Sequence, residues 1–207
     1  MAKIYRMKPL IALFCILALV GSYYFAALIQ TVFHRWFGHH RRITRIYEIH
    51  AKGHHAKYPP HRLSTNQWID SEQHVMWFYA IPFLPAATLI GWLFGPWILC
   101  SHIVGVCFAT WWHIYLHKEY HLSSSRWERF KWFRKKRELH FIHHRDVRAN
   151  YAIVEYWLDT LLGTRKEPIR APSAPPDPIT CYQSPVANRP NLHPSPVKSS
   201  QVHQNIY

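Results

Sequence analysis

The chain has 207 residues, 49% apolar and 16% aromatic, with 25 Lys+Arg against 11 Asp+Glu for a net charge of +14, and it carries 17 histidines. So many aromatic and aliphatic residues exclude a wholly disordered chain. Four cysteines without a CxxC spacing, three of them (Cys15, Cys100, Cys107) in apolar runs, exclude a disulfide scaffold.

Residues 9–33 hold no Asp, Glu, Lys or Arg. Roughly 20 apolar residues suffice to cross the hydrocarbon core, so this run predicts a transmembrane helix. It is long for the apolar part of a signal peptide, and no small-x-small cleavage site follows it. Residues 34–74 form a basic segment with 7 Lys+Arg. Residues 75–112 are again free of the four charged types. One helix of that length would rise about 57 Å, nearly twice the hydrocarbon thickness, so two spans are expected, turning within residues 91–96 where Gly and Pro interrupt the run. Residues 113–167 carry 12 Lys+Arg. One span followed by a two-span hairpin puts both basic segments on one side of the membrane, and the positive-inside rule makes that side the cytoplasm. The basic-aromatic stretch 126–137 reads as an amphipathic helix lying on anionic lipid rather than as a nucleic-acid surface. From residue 168 onward, where nine of the 15 prolines fall, a disordered tail is expected. The expected architecture is an all-α integral membrane protein: a 1–167 domain of about three transmembrane helices with a cytosolic, helical, histidine-rich cap, and a 168–207 tail.

Ten histidines stand in four groups: His34 and His39 (HX4H), His50 with His54 and His55 (HX3HH), His113 and His117 (HX3H), and His140 with His143 and His144 (HX2HH). Positions three or four apart share a helix face, so three of the groups converge on their own helices. His34 and His39 lie about 140° apart on an α-helix and meet only if the chain bends, for which Gly38 is available. All four groups adjoin or follow the cytoplasmic ends of spans. One ion takes about four to six donors, so ten neutral imidazoles point to two metal ions. His61, His74 and His102 read as ordinary core or surface histidines, and His40 and His121 remain open because each extends a cluster. A membrane metal carrier without redox turnover is the alternative of another class. It would need histidines inside the spans, where only His102 lies.

These boxes, with Asn150-Tyr151, Trp157-Leu158-Asp159 and Leu162-Gly163-Thr164 after them, resemble the membrane fatty acid hydroxylase / sterol desaturase superfamily over residues 31–167. The second box has three residues before its His pair where many members have two, Trp157 and Asp159 are separated by Leu158, and Ala152 stands where glycine is frequent. The resemblance implies an oxidoreductase with a two-iron centre held by the ten histidines (zinc being possible as isolated), hydroxylating a fatty acyl, sphingolipid or sterol C–H bond with O2. A desaturase of the same superfamily is its near neighbour. It also implies a lipid substrate, a bilayer setting in a bacterial inner membrane or the endoplasmic reticulum, an external electron donor of cytochrome b5 or ferredoxin type, and no nucleic-acid partner. Ligating imidazoles usually donate their second N–H to a carboxylate or carbonyl. Asp159 is expected in that role, with Asn150 and Tyr151 orienting His143 or His144 or capping a helix. Asp146 and Glu48 are expected to form ordinary surface pairs with neighbouring cations.

Overall fold

A computed structural model describes residues 2–70 and 81–169, with side chains from residue 9 onward. The expected tail from residue 170 on, the start of the expected second span, and His74 lie outside the described residues. Within them the regular secondary structure is helical, apart from an isolated parallel bridge between Thr65 and Leu122. The α-helices are α1 (Ala2–Phe33), α2 (Thr44–Tyr47), α3 (His55–Lys57), α4 (Phe83–Phe94), α5 (Pro96–Tyr120), α6 (Lys131–Arg145) and α7 (Trp157–Leu161). Two π-helical turns, His34–Gly38 and Glu48–His54, and a 3-10 turn, Arg126–Arg129, join them.

Two helical runs, Pro9–Gly38 and Pro96–Tyr120, are long and apolar enough to cross a bilayer. The expected turn falls where Gly and Pro were expected to make it. Gly95 takes φ +80, a left-handed conformation that glycine adopts without strain, and Pro96 opens α5 with no N–H to leave unpaired. Of the expected preceding span the described residues show α4, whose 12 residues rise about 18 Å, short of the hydrocarbon thickness by themselves. Two full-length apolar helices are therefore on view, with α4 packed against the second.

These helices are inside out relative to a water-soluble protein. Leu10, Leu13, Ile16, Leu17 and Val20 of α1 face outward, as do Leu84, Trp92 and Phe94 of α4 and Trp97 and Phe108 of α5. Buried between them are polar side chains: Ser22, Gln30, Thr31, His34, His102, His113 and His117. In lipid the apolar surface costs nothing, whereas a polar group needs a protein partner. Several find one across the α1–α5 seam. Ser22 Oγ lies 2.7 Å from His102 Nδ1, and Gln30 Nε2 donates to Thr110 Oγ1 at 3.1 Å. The helices approach closely at small residues. A Cβ on Gly105 would strike the Leu19 carbonyl of α1, and Ala26 and Ala109 are buried together with Phe83.

Beyond the spans, α6 has one apolar stripe in a strongly basic helix. It buries Phe133, Leu139, His140, His143 and His144 and exposes Lys131, Arg134, Lys135 and Arg145. Phe133 packs with Leu116 and Tyr120 at the end of α5, which sets the α6 histidines beside those of α5. The loop 146–156 and α7 close the unit: Leu158, Tyr156 and Ala152 pack on Leu139 and on Ala27 of α1.

Candidate metal centre

The two π-helical turns create the convergence that α-helical geometry denied. A π-turn bonds residue i to i+5, so residues five apart stack one turn above another. His34 and His39 span such a turn, and their Nε2 atoms stand 3.2 Å apart. His50 and His55 span the other, with the His55 N–H donating to the His50 carbonyl and the Nε2 atoms 3.3 Å apart. The extra residue in the HX3HH box is thus the one the wider turn consumes. Gly38 is required by closeness rather than by backbone angle: a Cβ there would come within 3.1 Å of His50 Cδ2 and 3.2 Å of His34 Cδ2.

Ten histidines sort into two adjoining groups, in each of which one nitrogen per ring lies within 4.8 Å of all the others. The first contains His34, His39, His50, His55 and His143, and the second His54, His117, His121, His140 and His144. Every member is buried except His39 and His55, which are half-buried. The His54-His55 and His143-His144 dipeptides are each divided between the groups. Neighbouring residues on a helix point about 100° apart, so His54 serves one group and His55 the other, and His144 and His143 divide likewise. The rings of His55 and His144 stack across the boundary, with centroids 4.2 Å apart. Of the ten histidines expected here, nine are brought together. His113 is buried near His117, with centroids 6.2 Å apart, but belongs to neither group. His121, left open by the sequence, takes the tenth place. The signal for it was the continued four-residue spacing from His113 through His117. His40 and His61 are exposed.

The far side of the rings decides what the near side can do. His34 Nδ1–H donates to the Tyr151 carbonyl at 2.5 Å, and His143 to that of Ala149 at 2.7 Å. His121 donates to Leu63 at 2.7 Å and His144 to Tyr58 at 2.9 Å. His54 donates to Asp70 Oδ2 at 2.5 Å, and Lys57 holds the other oxygen at 3.1 Å. With the proton fixed on Nδ1, each of these five rings presents a bare lone pair at Nε2. The Nε2 atoms crowd together: His34 and His50 meet at 2.7 Å, His39 and His143 at 3.0 Å, and His54 and His117 at 3.1 Å, while His54 and His144, both with the proton on Nδ1, bring two bare lone pairs to 3.1 Å. Two acceptors cannot hydrogen-bond to each other. A cation between them removes the conflict. Two nitrogens bound to one ion at right angles, about 2.1 Å from it, are about 3.0 Å apart, and the observed separations cluster there. The donor set therefore fits transition-metal ions, one per group.

Electrostatics point the same way. Among the rings beyond the spans, burial and the positive charge that neighbouring imidazoles would carry hold His39, His50, His54, His55, His140, His143 and His144 below the ordinary imidazole range. Burial brings His121 down to about 3, against the pull of the Leu63 carbonyl. All are neutral at pH 7, the form that binds metal.

The expected supporting residues act at one remove. Asp159 touches no ring. Its carboxylate accepts the backbone N–H of Tyr151 at 2.8 Å and of Ala152 at 3.0 Å, and the Thr164 hydroxyl at 2.7 Å. It thereby fixes the loop whose Tyr151 carbonyl receives His34. Burial raises the Asp159 pKa, and these donors oppose the rise. Asn150 sits at φ +53, and its amide group bonds the carbonyls of Leu139 and Lys166 and the Lys166 N–H. It staples the loop to α6 and caps no ring. Tyr151 contributes its carbonyl and places its ring against His34, His39 and His143. Asp146 pairs with Arg148 and Lys166, and Glu48 with Lys52, as surface charges. Among the described residues the carboxylate that bonds a histidine ring is Asp70, in a loop with no motif around it, and nothing in its sequence neighbourhood marks it.

Residues 16–164 match the model of a family described as fatty acid hydroxylase. No curated protein and no solved structure matches the chain.

Proposed function

The chain belongs to the fatty acid hydroxylase family, and on that premise we propose that it is a membrane oxygenase that hydroxylates an unactivated C–H bond of a lipid, using O2, two iron ions and electrons from a separate carrier protein of cytochrome b5 or ferredoxin type. The observation that carries this reading is the two adjoining groups of five imidazoles, in each of which one nitrogen per ring lies within 4.8 Å of the others, with the bare Nε2 atoms of His54 and His144 opposed. The iron pair supplies O2 activation and the oxidising power for C–H cleavage. The first group of histidines would hold one ion and the second the other, with zinc an acceptable substitute for the same donors. The chain's own work is positioning. The carbonyls of Tyr151, Ala149, Leu63 and Tyr58 and the carboxylate of Asp70 fix ring tautomer and orientation before any ion arrives. Eight of the ten ligand candidates are buried, which limits the access of water to the histidine nitrogens.

The lipid setting follows from the same elements. His34 and His117 sit at the ends of the two apolar runs, so the centre lies where a span meets the basic segments. In this reading the basic segments face the cytoplasm and hold anionic headgroups, while the acyl chain approaches from the bilayer.

The test is expression in cells supplied with a matching reductant under 18-O2, with metal analysis and a broad lipid panel. Wild type is expected to hold two ions and to form a labelled hydroxy-lipid, and His143→Ala to form none. A new double bond without label would make the protein the desaturase of the pair. A metal-loaded, reductant-supplied protein that leaves the panel unchanged would overturn the oxygenase reading.

A further inference from the structure

A cleft lies between the apolar helices, away from the two histidine groups. Phe14, Ile90 and Phe94 line this cleft of about 460 Å3 between α1, α4 and α5, and Ser22 and His102 also border it. The His102 side chain is 98% buried (2% exposed), and its Nε2 has no hydrogen-bond partner among the described residues.

The tautomer of His102 can be assigned. Ser22 Oγ and His102 Nδ1 are 2.7 Å apart, and this is the one hydrogen bond Ser22 makes among the described residues. If Nδ1 carried the proton, both the serine O–H and Nε2 would be left without partners in an apolar medium. If Ser22 donates to Nδ1, only Nε2–H is left. The second arrangement leaves fewer buried groups unsatisfied, so His102 presents an N–H donor that needs an acceptor.

We propose that this cleft binds a long apolar molecule bearing one acceptor oxygen, a carbonyl or hydroxyl, which takes the hydrogen bond from His102 Nε2. A plain hydrocarbon chain fills the volume but leaves the donor bare, at a cost comparable to a lost hydrogen bond in hydrocarbon. At 1.5 Å per residue the site is roughly 18–22 Å along α1 and α5 from His34 and His117. The oxygen it recognises is therefore one buried at mid-bilayer depth, not an interfacial headgroup. The proposal rests on α1 and α5 crossing the bilayer and not on the oxidation chemistry.

The experiment uses the full chain in phosphatidylcholine nanodiscs. The probes are laurone, a long-chain ketone with its carbonyl at mid-chain, and tricosane, the alkane of the same length. Saturable binding of laurone is expected, with part of its infrared carbonyl band moved to lower wavenumber than in protein-free discs, and weaker binding of tricosane. His102→Phe removes the donor. Gly21→Leu adds a side chain at a cleft position where a Cβ meets nothing within 4 Å, and so fills the space without touching His102. Each is expected to lower laurone binding at least about fivefold and to abolish the shifted band, with metal content unchanged. An unshifted band in wild type, tricosane bound as well as laurone, or full laurone binding by His102→Phe would overturn the proposal. The comparison of the two probes on wild type decides it even if a variant fails to fold.

Discussion

Five rings of the centre have their Nδ1–H committed to a fixed oxygen, and removing one such acceptor tests what that commitment contributes. Asp70→Leu keeps comparable bulk beside His54 and removes the acceptor. Loss of a supporting partner of this kind costs roughly 10–100-fold in metal affinity, so a metal titration of the purified variant should show one weakened equivalent and one unchanged. Two unchanged equivalents would mean that the bond to His54 is incidental. Gly38→Ala acts on the other group. Its Cβ would press within 3.1–3.2 Å of the His34 and His50 rings, and His34 cannot retreat without leaving the Tyr151 carbonyl. The expected outcome is one ion retained instead of two, measured by metal analysis.

At the scale of elements, the α1–α5 seam and the closing loop each depend on one residue. Any side chain at position 105 meets the α1 backbone, a neighbour that cannot give way as a flexible side chain can. Gly105→Val should lower the thermal unfolding midpoint in detergent, by the equivalent of about 1–3 kcal/mol for overpacking. Gly21→Ala in the same helix pair meets only open space and should leave the midpoint unchanged. Asp159→Ala removes the acceptor for two backbone N–H groups and a hydroxyl in a buried loop. Each donor left unsatisfied costs about 1–3 kcal/mol, so this variant should unfold at lower denaturant than Asp159→Asn, which retains one acceptor oxygen.

The whole molecule is coupled to protons through the same rings. Folding lowers the pKa of the centre's histidines beyond the spans, His121 to about 3, whereas in the unfolded chain they titrate near 6.5. Below about pH 6.5 the unfolded chain binds more protons than the folded one, so stability rises with pH and falls as the solution is acidified. Denaturation of the metal-free protein at several pH values should show little change above about pH 7 and progressive loss below about pH 6.5. Metal binding requires the same neutral rings, so protons and metal compete and the loaded protein should release its ions over a similar descent. An unfolding midpoint that does not move between about pH 8 and pH 5 would show the rings to be solvated rather than buried.

The spacing of charges along the chain already determined much of this. Residues 9–33 and 75–112 cannot be long and free of charge without seeking an apolar medium, and the Gly-Pro step at 95–96 marks the turn between α4 and α5. Nine of the ten histidines named from the sequence lie in the two groups, some through a shared helix face and His34, His39, His50 and His55 through π-turns. What remained illegible depended on groups without a sequence signature. The carbonyls of Leu63, Ala149 and Tyr58 look like any other until the chain brings them to a ring. Asp70 meets His54 across a loop whose path no motif records. The choice of His121 over His113 depends on where α6 crosses the end of α5, and the partition of His54-His55 and of His143-His144 between two groups depends on elements far apart in the chain. Local periodicity can say which side chains share a face. Only packing among helices far apart in the chain decides which faces meet, and so which lone pairs are left looking at one another.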